Sequence, residues 1–228
     1  MLPHFFRHYD PYVERFFIHD DASTDGSREL LAGHQAVDVG CFPRKGDSYV
    51  LDAMHFYREA WKASRGEADW VIVCNVDEHL YHPDLLGYLN RCRERGVTTV
   101  STLGYEMVAD HFPQDPRRLC DVVVRGMRWD RLDKVALFDP SAIIEIGYAP
   151  GRHEVVPTGR VVYPRRPAVK LLHFKYLGLD YLVSRQSELH DRLLPGDVAN
   201  GYGIQYLKDP SAIQEDFEAV ARAATTVI

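Results

Sequence analysis

Two apolar runs in this chain each break off into an acidic turn, and that repeated pattern constrains the fold more than any other feature. Residues 13–19 read as a compact apolar strand ending in Asp20-Asp21-Ala22-Ser23-Thr24-Asp25-Gly26-Ser27, with helical spacing over 28–33 behind it. Residues 69–76 carry Trp70, Val71, Ile72, Val73 and Cys74, a run suited to a strand buried on both faces, and stop at Asn75-Val76-Asp77-Glu78. Between them, residues 48–64 set Val50, Leu51, Met54, Tyr57, Ala60 and Trp61 on one helical stripe. Pro83 opens another helix that runs to Arg95, Gly96 ends it, and 97–103 is strand again. Alternating strands and helices imply an α/β fold with a mixed, mostly parallel central sheet. Ligands bind such sheets beyond the carboxyl ends of the strands. Both acidic turns fall at those ends, so they are expected to meet in one crevice.

The flanking segments are less regular. Residues 2–9 suggest a short helix, and Pro11 discourages its continuation at Asp10. Beyond 103, residues 110–118 read as loop, 122–129 and 134–138 as strands, 143–162 as alternating turn and strand, and 170–174 as a further strand. Helical spacing returns over 179–193 and 217–224. The 228 residues, 46% apolar and 26% charged, fit one globular domain.

Charge and cysteine usage narrow the function classes. The net charge is −6 and Lys and Arg are scattered, so no domain-wide basic field for duplex nucleic acid is expected. The densest cationic patch, with Arg165, Arg166 and Lys170, reads as a local phosphate or solvent contact. Cys41, Cys74, Cys92 and Cys120 lie far apart without a CxxC, which suggests neither a zinc site nor a disulfide framework. No apolar run approaches the roughly eighteen residues that span a bilayer. The expected location is cytoplasmic, and peripheral association at the inner face of the membrane is compatible with it.

Asp77 and Glu78 are hard oxygen ligands of the kind that hold Mg²⁺ or Mn²⁺ beside substrate phosphates. The plainer reading is a solvated acidic turn or helix cap. A turn and N-cap would likewise explain Ser23, Thr24 and Asp25, but not the two adjacent carboxylates, Asp20 and Asp21, that precede them.

At this point the chain resembles a known family. Residues 20–27 look like the DDxSTDGS signature of family 2 glycosyltransferases, and residues 69–80 look like the strand and DxD-type motif of their DWVI…DxDEFL branch. The resemblance extends through Gly104-Tyr105-Glu106-Met107, residues 134–140, Gly151-Arg152-His153-Glu154 and residues 171–178. It implies a single GT-A domain over 1–228, with a nucleotide-binding half (1–103) and an acceptor-side half with C-terminal helices (104–228). The implied activity is metal-dependent transfer of a sugar, with inversion, from a nucleotide diphosphate donor (a UDP-sugar is favoured). The acceptor is a glycan, a lipid-linked group or a small molecule.

The resemblance also suggests roles. Asp20 and Asp21, with Ser23 in the same loop, would face the base and ribose, and Asp77 would ligate Mn²⁺ or Mg²⁺. Asn75 stands where the first Asp of the DxD usually stands, bringing a carbonyl but no charge, so that either metal affinity would be lower or Glu78 would compensate as a further ligand. His173 would complete the metal shell, with a purely structural histidine as the alternative. Lys175 would pair with a phosphate, and His153 would lie near the donor sugar or acceptor. Inversion needs a carboxylate that removes the acceptor proton. Asp110, Asp133, Glu145 and Glu154 all lie in the acceptor half, and Glu154 is favoured for its place in the turn at 151–154.

One departure matters. Related proteins have an earlier central strand, ending in an Asn-Glu loop, ahead of the segment that starts here at Met1. Either the natural start lies upstream of Met1, or another segment fills the slot, or the protein is an impaired relative, and an unpaired central strand edge would favour strand substitution or self-association, for instance in a homodimer. A catalytically impaired nucleotide-sugar binder or scaffold is therefore the rival reading. A metal-dependent phosphohydrolase would need a nucleophilic aspartate or a second metal cluster, and no compact second cluster is visible in the sequence.

Overall fold

The computed structural model describes residues 1–228 as an α/β fold in which helices pack on a mixed, curled sheet. Pro3 in the first turn starts α1 (Leu2–Tyr9), which buries Phe5, Phe6, His8 and Tyr9. β1 (Phe16–Asp20), α2 (Ser27–Ala32) and β2 (Val37–Cys41) follow as a parallel unit. Ser48 caps α3 (Tyr49–Glu59), its hydroxyl accepting from the Leu51 N–H, and a tighter turn carries the chain on to Ser64. Next come β3 (Val71–Ile72), β4 (Glu78–Tyr81) and α4 (Leu85–Glu94), the last capped by Asp84.

The second half opens with the long β5 (Thr99–Ala109). A helical turn, α5 (Leu119–Val122), leads to β6 (Arg125–Arg128) and β7 (Val135–Phe138). β8 (Ile143–Glu145) and β9 (Thr158–Gly159) form a small ribbon, after which β10 (Val169–Leu177) enters the main sheet. α6 (Leu179–Asp191), α7 (Pro195–Ala199), α8 (Pro210–Ala223) and β11 (Thr225–Thr226) complete the chain. No helix is long and apolar enough to cross a membrane.

The main sheet runs β11-β6-β5-β10-β4, with β7 also on β5 and β3 beyond β7. The expectation of a mostly parallel sheet is corrected here. In this sheet only β10 and β5 are parallel, and every other pairing is antiparallel. β6 and β7, joined only by residues 129–134, pair with successive stretches of β5, and both run antiparallel to it. β1 and β2 form a separate two-stranded sheet.

Other boundaries differ for local reasons. The run 69–76 is not buried on both faces: only Val71–Ile72 is strand, at the end of the sheet, and its residues are half-buried. Glu78 begins a strand and does not end one. Residues 119–122 are helical, so the expected strand over 122–129 shortens to β6. The last helix starts well before 217, because the Asp209 carboxylate accepts from the N–H groups of Ser211 and Ala212 and Pro210 sits in the first turn. The largest core cluster joins α1, β1, α4, β5, β7 and β10 through residues such as Phe5, Phe16, Leu85, Val100, Leu137 and Leu171.

Candidate functional site

Strand register assembles the most distinctive group. β10 lies between β4 and β5, and His173 is level with Glu78 on one side and Glu106 on the other. A register shift follows between His173 and Tyr176 on the β5 side, a feature that re-aims side chains next to functional sites. His173 Nδ1 lies 2.8 Å from Glu106 Oε2, and Nε2 lies 3.5 Å from Asp77 Oδ2. The Phe174 N–H donates to the Asp77 carbonyl at 2.8 Å, which pins the Asp77 backbone against β10.

The electrostatics of this trio are strained toward charge. Burial opposes the imidazolium, but the Glu106 and Asp77 carboxylates outweigh it and raise His173 to about 10. Burial would raise the Asp77 carboxyl, yet the adjacent charge of His173 brings it below the ordinary value. Asp77 Oδ1 is buried without any hydrogen-bond partner. An orphaned carboxylate oxygen beside an imidazole that a second carboxylate orients is a donor set suited to a divalent cation. Binding there must displace the His173 proton. No three His, Cys, Asp or Glu side chains converge as a complete shell, so remaining positions would fall to substrate oxygens and water, as is usual for Mg²⁺.

Glu78 does not belong to that set. Its Oε1 accepts from Lys134 Nζ at 2.6 Å and its Oε2 from Arg152 at 2.5 Å and from the Asn75 N–H at 3.0 Å. All three charged side chains are buried. Burial would raise the Glu78 carboxyl, but the two cations hold it well below the carboxylate range. The expected role of Glu78 as a further metal ligand is thus corrected: both oxygens are committed to holding the 73–78 turn. Arg152 donates also to the Val73 carbonyl at 2.6 Å, lies 4.8 Å from the Tyr57 ring centroid, and adopts φ 60°. Asn75 is exposed, and its amide oxygen accepts from the Tyr57 hydroxyl at 2.8 Å.

The 20–27 loop contributes a single residue to the cleft. Asp20 is turned inward: its carboxylate accepts from the Ser23 N–H at 3.1 Å and lies 3.7 Å from Arg28, so it folds the loop and does not line the cleft. Ser23 is likewise off the cleft. Asp21 does line it, in a two-pronged pair with Arg44, whose guanidinium stands 5.0 Å from the Tyr49 ring. Ala22 between them sits at φ 55°, a conformation costly for a residue with a Cβ.

Asp77, Asp21, Asn75, His153, His173 and Lys175 all line one cleft of about 1970 Å³, larger than the roughly 300–1,000 Å³ of ordinary small-molecule pockets. His153 Nδ1 donates to the Arg131 carbonyl at 2.7 Å, and burial lowers its pKa, so the neutral ring offers Nε2 as an acceptor. Lys175 forms no ion pair and has its ammonium 5.1 Å from the Tyr176 ring. The expectation for Glu154 is corrected: it is exposed and outside the cleft, and Asp110, Asp133 and Glu145 also lie outside it. Asp133 accepts from the Gly104 N–H and Arg128, and Glu145 pairs with Lys62, so both are engaged elsewhere.

Sequence reasoning missed Glu106, Lys134, Arg152, Tyr57 and Arg185 as functional parts. Arg185 on α6 lines the cleft close enough to Asp77 to help depress its pKa. Glu106 and Lys134 carried one available signal, a charged residue within an apolar strand run. The chain matches no protein-family model and no curated protein.

Proposed function

We propose that this chain is a GT-A-type glycosyltransferase that binds a nucleotide diphosphate sugar, a UDP-sugar by preference, with Mn²⁺ or Mg²⁺. The observation that carries the reading is the buried, unpartnered Asp77 Oδ1 beside the His173–Glu106 pair. Bound there by Asp77 and His173, the cation supplies charge neutralisation for a leaving diphosphate. Lys175 and Arg185 add fixed positive charge along the same cleft, suited to phosphate oxygens. Asp21, which lines the same cleft, would accept from donor groups of a base or ribose, in exchange with Arg44. Glu106 keeps the His173 ring oriented, and the Glu78, Lys134 and Arg152 cluster fixes the turn that presents Asp77. The wide cleft leaves room for a glycan, lipid-linked or small-molecule acceptor.

A second reading, a nucleotide-sugar-binding protein without turnover, is favoured by two observations. The Asn75 carbonyl is already engaged by Tyr57, and the expected base Glu154 lies off the cleft. Release of free UDP from a panel of UDP-sugars, with and without Mn²⁺, separates the two. Metal-dependent release is the expected result. Saturable binding without release supports the second reading, and absence of both binding and release overturns both.

A further inference from the structure

Transfer to a hydroxyl needs a base, and the carboxylates of the cleft are engaged elsewhere. Glu78 and Glu106 are held by Lys134, Arg152 and His173. Asp69 and Asp216 are paired with Arg93 and Lys208. Asp139 accepts from the Ser141 N–H at 2.8 Å, and Asp197 from the Ser48 hydroxyl at 2.6 Å. Glu14 and Glu67 form no ion pair, but they precede β1 and β3, whereas Asp77 follows β3.

His153 is built differently. Its Nδ1 lies 2.7 Å from the Arg131 carbonyl. A carbonyl oxygen only accepts, so Nδ1 carries the proton and Nε2 of the neutral ring carries a lone pair. Nε2 has no hydrogen-bond partner and, unlike both ring nitrogens of His79, is not sealed in the interior. Gly151, at φ 70°, lies against this edge of the ring: a Cβ there would stand 2.9 Å from Nε2, so glycine leaves the nitrogen uncovered. The Trp129 ring, 6.3 Å away and tilted by 60°, gives the same part of the cleft an apolar wall.

The chain also ties His153 to the proposed cation site. It follows Arg152, whose guanidinium holds Glu78, the residue next to Asp77. The charges that reach the imidazole are those of Lys134, Arg131 and Glu78. Burial lowers its pKa, Lys134 and Arg131 add to that, and the Arg131 carbonyl and Glu78 act oppositely. The ring is therefore neutral at neutral pH, the state in which it can take a proton.

We propose that His153 Nε2 is the general base of the cleft, an imidazole in place of a carboxylate; this rests on the glycosyl-transfer reading. The acceptor oxygen forms its bond to the anomeric carbon as the bond from that carbon to the diphosphate oxygen breaks. The hydroxyl proton passes to Nε2, the electron pair of the broken bond leaves with UDP, and the imidazolium then gives its proton to water. The Arg131 carbonyl holds the ring in the required tautomer throughout.

The test follows UDP release from UDP-glucose, UDP-galactose and UDP-N-acetylglucosamine, with water as acceptor and Mn²⁺ saturating at each pH. Wild-type kcat should be level near pH 7.5 and fall on the acid side of about pH 6.5, the ordinary imidazole value. His153→Asn keeps an amide N–H for the Arg131 carbonyl but has nothing in place of Nε2. It should lower kcat by about 100-fold or more, leave the donor KM and the Mn²⁺ affinity unchanged, and lose the acid limb. Sodium azide, a nucleophile with no proton to give up, should restore turnover in the variant and yield a glycosyl azide of inverted configuration. Three results would overturn the base alone: a wild-type kcat that is level from pH 5 to 8, a variant with wild-type kcat and pH profile, or lost turnover that azide does not restore. The first needs no variant, so it decides the matter even if His153→Asn does not fold. Absence of UDP release by the wild type from all three donors overturns the transfer reading and the base with it.

Discussion

His173 Nε2 stands 3.5 Å from Asp77 Oδ2, although one residue ends the turn after β3 and the other lies in the last long strand. The antiparallel pairing of β10 with β4 brings them together, and the Phe174 to Asp77 backbone hydrogen bond fixes the approach. The contact joins an acidic turn from the first half of the chain to a histidine from the second, so the cleft is built by both halves at once.

Asp77→Asn is expected to abolish Mn²⁺-dependent UDP binding while leaving the thermal unfolding midpoint close to wild type. The amide keeps the shape but removes the charge that a divalent ion needs. Glu106→Gln should act more mildly, lowering Mn²⁺ affinity by about 10- to 100-fold, since it orients the His173 ring without contacting the ion. Calorimetric titration of Mn²⁺ with UDP present checks both. Wild-type metal affinity in a folded Asp77→Asn protein would remove the assignment.

Asp21→Ala should weaken UDP binding with and without metal, by about 1.5–3 kcal/mol for a lost charged hydrogen bond. Arg44→Gln breaks the same ion pair but leaves Asp21 free to meet the nucleotide, so it should bind as well as wild type or better. If both variants bind equally poorly, the Asp21–Arg44 pair acts as one wall and not as a nucleotide acceptor.

These expectations rest on features with very different visibility in the sequence. The strand, acidic turn and helix at 13–33 are local: apolar run, capping residues and helical spacing all sit within a few positions, and the structure places β1 and α2 there. The sheet was misread because parallel and antiparallel pairing depend on which distant strands meet, and period-two patterning is the same for both. Glu78 shows the limit most clearly. A carboxylate next to Asp77 is indistinguishable in sequence from a metal ligand, and only the convergence of Lys134 and Arg152 from elsewhere in the chain turns it into a buried anchor. Glu106 was hidden for the converse reason, since its partner His173 is its neighbour only through strand register.

The buried cluster yields an ordered set of stabilities. Glu78→Gln leaves Lys134 and Arg152 buried and facing each other without an anion, which should cost about 3–5 kcal/mol in urea unfolding. Lys134→Met leaves the Glu78–Arg152 pair intact and replaces a buried ammonium with an apolar chain of similar length, so it should cost far less. A reversed order would mean that Glu78 is neutral in the folded protein.

His8 makes stability depend on pH in a predictable direction. Its side chain is 1% exposed, and burial pushes the imidazole down to about 4 despite the hydrogen bond to the Leu80 carbonyl at 2.9 Å. Arg118 lowers it further and Asp121 acts oppositely; the His79 ring stacks on it at 4.5 Å, Cys120 Sγ lies 3.9 Å from Nδ1, and Tyr9 and Tyr12 flank the ring. The unfolded chain protonates this imidazole below about pH 6.5, and the folded chain does so only near pH 4. Between those values the unfolded state holds more protons, so the stability present above pH 6.5 is lost as pH falls. The loss due to His8 should reach on the order of 2–3 kcal/mol by pH 4. His79, whose pKa burial also holds well below its usual value, adds to the trend in the same direction. His8→Phe isolates the His8 share: it should be less stable at pH 7, because the Leu80 carbonyl loses its donor, yet its stability should fall less steeply between pH 6.5 and 4.5. Urea unfolding of both proteins at pH 7.0, 5.5 and 4.5 measures the slopes, and equal slopes would show that His8 is not buried as a neutral ring.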